Sequence, residues 1–308
     1  MKILVTGGAG FIASHVVDRY IELGHYVAIV DDLSMGKKAN VNPTAVFYQQ
    51  DIRGPEIREI FQRERPQVVN HHAAQIDLRR SGLEPTWDAG INILGSLNLM
   101  ELAREFGVKR IIYSSTGGAV YGEPAYFPVD EVHPIEPLSH YGVSKYTVER
   151  YLSLYRIHHG ISTIVLRYPN VYGPRQDPKG EAGVVAIFSQ QMLSNIRPTI
   201  FGDGSKTRDY VCVGDIAEAN VLALSTIEDG TFNLGWGKEV KDLEIFEAVR
   251  SGLGYDLDPI YSEKRLGEID RICLDASKAK KLLGWEPQVT LKEGIRQTTE
   301  FYRLQESS

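Results

Sequence analysis

The chain has 308 residues, 43% hydrophobic and 24% charged, with a formal net charge of -6, which allows one large or two moderate domains around a sizeable core. An acidic balance without a dense Lys/Arg run argues against nucleic acid as a partner, and no apolar run approaches the roughly 20 residues that cross a bilayer. Two cysteines, Cys212 and Cys273, form neither a disulfide framework nor a metal spacing, and a strand at the very start leaves no place for a signal peptide, so a cytoplasmic protein without a metal is expected.

Residues 2–6 (KILVT) predict a strand and 11–23 a helix. Strands follow at 26–31 and 45–51, a helix at 55–64, an extended stretch at 67–73 and a long helix at 86–107. A strand at 109–115, a helix at 141–159 and a strand at 162–168 complete the first half. Continuous Val/Ile runs alternating with helices predict parallel strands covered on both faces, an α/β doubly wound (Rossmann) sheet. After Pro169 come a glycine-rich loop at 173–183 and helices at 184–195, 215–226, 241–252, 277–283 and 291–304, with short strands near 199–201, 209–213 and 231–235. The division expected is a dinucleotide-binding domain over 1–168 and a smaller α/β substrate domain over 169–308, with about 205–235 returning to the first sheet.

The first strand runs into VTGGAGFIASH, with Gly7, Gly10 and Ala13 at the spaced positions. Glycines there permit a tight turn and close approach to a pyrophosphate, and the following helix offers free N–H groups and a positive dipole end. Asp31 stands about 20 residues on, where a carboxylate accepts from a ribose 2′-hydroxyl and repels a 2′-phosphate, favouring NAD over NADP. The plainer alternative is that Asp31 and Asp32 cap the strand end. Asp51, closing the third strand, is in place to reach an adenine amino group. HHAAQ (71–75) closes the fourth strand near the nicotinamide-side ribose; without a third ligand, His71 and His72 read as strand-end packing.

The strand at 109–115 ends in Ser114, Ser115 and Thr116, with no acid or histidine beside them in sequence. Tyr141 and Lys145, in YGVSK, open the next long helix four residues apart and so share one face. That spacing alone is weak, since with 16 tyrosines roughly 0.7 such pairs arise by chance, and both could be ordinary surface residues. Its place in the α/β unit gives it weight: tyrosine, lysine and hydroxyl would meet at the carboxyl edge of the sheet. A tyrosine of ordinary pKa, about 10, needs roughly 4 kcal/mol to act as a base near pH 7. One cation about 4 Å away at an effective dielectric near 20 supplies about that much, and Lys145 is expected to be that cation.

With VTGGAGFI, SSTGGAVYG, YGVSK, LRYPNVYGPRQDP, GDGSKTRDYVCVGDIA, FNLG and LDASKAKKLLGWEP in view, the chain resembles the extended short-chain dehydrogenase/reductase family along nearly its whole length. The resemblance implies Thr116, Tyr141 and Lys145 as the catalytic trio. It implies NAD contacts from Gly7, Gly10, Phe11, Ile12, Asp31, Asp32, Asp51, Ile52, Ala73, Ala74, Gln75, Asn92, Ser114, Tyr141, Lys145 and Tyr168. It implies a nucleotide-sugar site, a UDP-hexose in the first instance, formed by Thr116, Tyr141, Asn170, Val185, Phe201, Arg208 and Arg265. Two arginines clamping a diphosphate make chemical sense, while Arg208–Asp209 and Arg265–Glu268 surface pairs are the alternative. Family members that eliminate water carry Asp-Glu after the threonine; Gly117 and Gly118 stand here, which leaves reversible oxidation and epimerisation at C4 of the hexose. Other nucleotide-sugar chemistries of the family (on N-acetylhexosamines or uronic acids, decarboxylation, reduction) are the alternatives, and a non-catalytic NAD sensor is a remoter one. Ala13 and His140 depart from the family pattern, and Ile272 falls at the position that gates N-acetyl sugars. A homodimer through the helices at 86–107 and 141–159 is also implied.

Overall fold

The computed structural model describes residues 1–179, 183–264 and 269–306. Its core is a sheet of seven parallel strands: β1 (Lys2–Thr6), β2 (Tyr26–Val30), β3 (Val46–Tyr48), β4 (Val68–His71), β5 (Arg110–Thr116), β6 (Ser162–Tyr168) and, from far along the chain, an edge strand at Gly230–Asn233. The order is β3-β2-β1-β4-β5-β6 and then that edge strand. Winding reverses between β1 and β4, and this opens a crevice at the carboxyl ends of the strands, where Thr6 is in register with both Val30 and His71. Central strands are apolar on both faces because both faces are covered: Ile3, Leu4, Val5, Val69, Ile112 and Leu166 are buried.

Helix α1 (Phe11–Glu22) lies on one face through Val16, Val17 and Tyr20. The other face takes α2 (Glu56–Glu64) through Ile57 and Phe61. After β4 come α3 (Leu78–Leu83) and α4 (Pro85–Ala89), then one π-helical stretch, Gly90–Gly95, and α5 (Ser96–Glu105). The short α6 (Gly117–Val120) follows β5 directly, and α7 (His140–His159) packs on the α5 side through Val148 and Leu152.

Beyond β6 the chain forms β7 (Asn170–Tyr172), α8 (Val184–Leu193), β8 (Thr199–Phe201), β9 (Thr207–Arg208), β10 (Tyr210–Cys212) and α9 (Val213–Ser225). Then come the edge strand, β11 (Gly230–Asn233), β12 (Val240–Lys241), α10 (Asp242–Leu253), β13 (Ile260–Ser262), α11 (Ser277–Leu283) and α12 (Leu291–Glu306). α9 joins α1 on the first face. α8, α10 and α12 gather around Tyr172, Phe188, Met192, Phe246 and Ile295, flanked by the two-stranded pairs β7/β10 and β8/β13. Val120, Tyr121, Val129, Ile272 and Leu274 form a smaller cluster between the two regions.

The sequence reading did not include the short α6, β7, β12 and β13, and three further differences lie near the crevice. The strand expected over 45–51 stops at Tyr48, because Asp51 accepts the N–H of Arg53 at 2.8 Å and turns the chain. The helix expected over 86–107 is interrupted by the π-helical stretch, where the Ser96 hydroxyl bonds the Asn92 carbonyl at 2.5 Å. Helix α3 was not anticipated, although Asp77 caps it by accepting the N–H groups of Arg79 and Arg80 at 2.9 Å each.

Candidate active site

The glycine turn is shaped for an anion. Gly7 has φ +72, and a Cβ there would come within 2.7 Å of the Ala73 nitrogen just past β4, so no other residue fits without strain. Gly10 precedes α1 in extended backbone without a side-chain cap, which leaves the first N–H groups of a twelve-residue helix turned to the crevice. Asp31 is buried at the end of β2; one oxygen accepts from Ala9 N at 3.0 Å and the other from Leu33 N at 2.8 Å. It therefore caps its own turn and also holds the glycine loop, so both readings of this residue describe part of its geometry. Burial raises its carboxyl above the ordinary range. Asp32 is exposed and accepts from Ser34 N at 2.8 Å.

The remaining candidates around the crevice are more committed. Arg53 clamps the Asp51 carboxylate at 3.0 Å from Nε to each oxygen and lowers its pKa, and Ile52 is buried beside it. Ala73 N donates to Thr6 Oγ1 at 3.2 Å, and Ala74 follows, half-buried. Asn92 grips the Gln75 backbone on both sides, at 2.9 and 3.0 Å. Ser114 donates to the His71 carbonyl at 3.2 Å, and the Tyr168 hydroxyl meets Asn220 Nδ2 at 2.9 Å and His72 Nε2 at 3.0 Å. An uncapped helix start for a pyrophosphate and a buried carboxylate for a ribose diol fit a dinucleotide laid across the β1–β4 crevice.

The chemistry sits one unit further on. Ser139 caps α7 through Gly142 N at 3.1 Å. Gly142 lets the helix dock on α6, for a Cβ there would stand 2.5 Å from the Ala119 carbonyl oxygen. Tyr141 and Lys145 lie on the first turns of α7. The Lys145 ammonium lies 4.5 Å from the centre of the Tyr113 ring and makes no ion pair among the described residues. Thr116 ends β5 opposite Tyr168. The space beside Gly118 lies 3.8 Å from Thr116 Oγ1 and 3.9 Å from Asn170 Oδ1, so these two groups border one concavity, with Pro169, Asp209, Ile272 and Leu274 completing its lining.

The protein's own field departs from the expectation of a phenol lowered by Lys145. Burial pushes Tyr141 up, and Asp88 adds to that. Burial pulls Lys145 down to about 7, against the opposing pull of Glu149 and Asp88. Loss of water around both groups outweighs their attraction. Burial and then the Lys145 charge hold His71 well below its ordinary value and bring His72 to about 3, so neither histidine is charged at neutral pH.

Sequence reasoning missed the acids. The Ser115 hydroxyl donates to Glu149 Oε1 at 2.5 Å. Glu149 in turn is paired with Arg167, through Nη2 at 2.5 Å and Nε at 3.0 Å, and Arg167 continues to the Tyr121 hydroxyl at 2.6 Å and thence to Asn233. Asp88, on α4, is fully buried and takes the hydroxyl of Ser144. A fold-level alignment of strand ends and helix starts could have flagged Glu149, one turn beyond Lys145; nothing local marks Asp88.

The substrate-side candidates are only partly assembled. Val185 is fully buried in the α8–α10–α12 core with Phe188 and Met192. Phe201 ends β8, half-buried. Arg208 donates to the carbonyls of Thr207 at 2.8 Å and Asp270 at 3.4 Å. It is not paired with Asp209, whose carboxylate accepts N–H groups of Trp236, Gly237 and Leu274 at 3.0 to 3.1 Å and is raised by burial to about 6. Arg265 and Glu268 lie outside the described residues.

The model of the NAD dependent epimerase/dehydratase family matches residues 3–235. A curated relative from Methanocaldococcus jannaschii, named putative UDP-glucose 4-epimerase, is 50% identical over 98% of each chain. The chain is also similar to a crystal structure of UDP-glucose 4-epimerase with UDP-glucose from Thermotoga maritima, at 48% identity, TM-score 0.97 and 99% of each chain. A UDP-glucose 4-epimerase from Thermus thermophilus in complex with NAD gives 42% identity and TM-score 0.94, over 98% of this chain and 99% of that one.

Proposed function

The chain belongs to the NAD dependent epimerase/dehydratase family, and from that membership we propose that it interconverts UDP-glucose and UDP-galactose by inverting C4 of the hexose. It is an isomerase that uses NAD. What supports the reading is the Lys145 ammonium over the Tyr113 ring of β5, with Tyr141 one turn before it on the same helix. Bound NAD would supply a reversible hydride acceptor and, oxidised, a positive charge near the phenol.

In this reading Gly7, Gly10 and the α1 N-terminus hold the pyrophosphate and Asp31 the adenosine ribose. Tyr141 takes the proton of the C4 hydroxyl, Thr116 holds the same oxygen, and Lys145 as ammonium favours the phenolate. The substrate passes through a 4-keto sugar, turns about its diphosphate linkage and is reduced on its other face, after which Tyr141 returns the proton. Arg208 and Arg265 serve the diphosphate, and Asn170 the space beside the sugar. Elimination of water needs an added acid next to the ketone. Glu149 is held by Arg167, and a side chain at Gly117 would run into Leu274 Cδ1, which supports epimerisation over dehydration.

The same reading makes the active form a homodimer. Val143, Leu154 and Ile157 stand exposed at helical spacing on α7, with Leu94 exposed on the adjoining π-helical stretch. An apolar stripe of this kind suits a second copy of the same rod. Cys212 and Cys273 are buried free thiols, which fits a reducing cytoplasm. The test is incubation of purified protein with UDP-glucose and no added reductant, followed by NMR. UDP-galactose at equilibrium with constant bound NAD is expected. Product formed one for one with consumed cofactor would make it a reductase instead.

A further inference from the structure

Asp88 is the most deeply buried charge near the site, with no exposed surface. One oxygen accepts the hydroxyl of Ser144. The other accepts from Ser81 Oγ at 2.5 Å, Asn92 Nδ2 at 3.1 Å and Gln75 Nε2 at 3.4 Å. These donors come from α3, the π-helical stretch, the segment after β4 and α7, and all of them are neutral. Four neutral donors satisfy the buried carboxyl group, and among the described residues no cation is paired with it. Ser144 stands between Tyr141 and Lys145 in the chain, so the carboxylate grips the turn that carries both.

We propose that Asp88 is a positioning residue of the reaction: it fixes the start of α7 through Ser144 and adds to the anionic field that favours Lys145 as an ammonium. The proposal rests on the reading of Tyr141 as the base. Other groups also face Lys145. Glu149, one turn along α7, is ion-paired with Arg167 of β6 and still exerts the larger of the two anionic fields on Lys145, to which Asp88 adds. His71 and His72, at the end of β4, are neutral at pH 7, and Tyr113 of β5 offers only its ring face. Of the two, Asp88 is the anion with no ion pair among the described residues, and its hydrogen bond to Ser144 ties it to α7 directly. It favours protonated Lys145 and opposes ionised Tyr141, in keeping with the directions found for both groups.

The two effects have the same sign in a pH profile. Removing the charge lets Tyr141 ionise at lower pH and lets Lys145 lose its proton at lower pH. In Asp88→Asn both limbs of the kcat profile should therefore move acidward by about one pH unit, with KM for the UDP-sugar little changed. Cofactor-free protein gives a second readout: the phenolate absorbance assigned to Tyr141, by difference from Asp88→Asn/Tyr141→Phe, should titrate at lower pH than in the parent chain. A lower kcat with both limbs in place, or an unmoved phenolate titration, would overturn the proposal and leave Asp88 a packing residue. Ser144→Ala keeps the charge and cuts the tie, so kcat should fall roughly tenfold without moving either limb. Should Asp88→Asn not fold, Ser144→Ala decides, and an unchanged kcat sinks the positioning role. A parent chain that does not interconvert the sugars would defeat the functional reading instead, while the phenolate titration would still report on Asp88.

Discussion

Lys145 and Glu149 stand one turn apart on α7, both almost fully buried, and their surroundings differ. Glu149 is saturated: Arg167 meets it with two nitrogens, and Ser115 fills one of its oxygens. Lys145 has the face of Tyr113 and the distant fields of Glu149 and Asp88, and burial brings it to about 7. Burial of a charge is thus no mark of function by itself. A charge whose partners are complete stabilises the fold, whereas a charge left incomplete can still exchange a proton or respond to a ligand.

The comparison breaks most visibly at the phenol. Tyr141→Phe should cut steady-state epimerisation about a thousandfold while the protein stays folded and retains NAD, as judged by activity assay and by nucleotide released on denaturation. Near-parental turnover would remove the incomplete site from the mechanism. Arg167→Ala should act on the other turn of the helix, stranding the Glu149 charge and costing about 3–5 kcal/mol in chemical denaturation, a loss that a merely decorative pair would not produce.

Lys145→Met sharpens the contrast. The ordinary lysine value of 10.5 is depressed to about 7 here, so between these pH values the unfolded chain binds the extra proton. Stability therefore rises with pH across that window, and the buried lysine is a liability below it. The variant should lose turnover yet gain about 2 to 4 kcal/mol at pH 7, with the advantage shrinking toward pH 10.5 in urea titrations. The smallest effect belongs to the outer face of the same helix. Val143→Glu with Ile157→Glu should shift the protein to a monomer by sedimentation while changing protomer stability by less than about 1 kcal/mol.

What the sequence made legible follows from range. The strand–glycine–helix turn is local, and so Gly7, Gly10 and Asp31 were readable and stand together. The parallel strands declared themselves by unbroken apolar runs, and Tyr141 and Lys145 by their place at the start of the helix after β5, their spacing alone being weak. Asp88 meets Ser144 across 56 positions, and Tyr121 meets Asn233 across 112, and no periodicity encodes such meetings. The substrate side was harder for a related reason. Its strands are two or three residues long, and no unbroken apolar run announces them. Arg208 showed its charge in the sequence, but not that neighbouring carbonyls occupy it.

The widened turn at Gly90–Gly95 has a consequence for how much this chain can change in length. It lets Asp88 and Asn92 face inward together while Leu94 faces out. The wide turn absorbs one residue more than ordinary winding would, and rewinding it as α-helix with the same residue count would swing everything upstream about 100° around the axis. Such a rewinding would leave composition and hydropathy untouched and still misaim the buried carboxylate, so the width of this one turn and its residue count are matched in the way a gear is matched to its teeth.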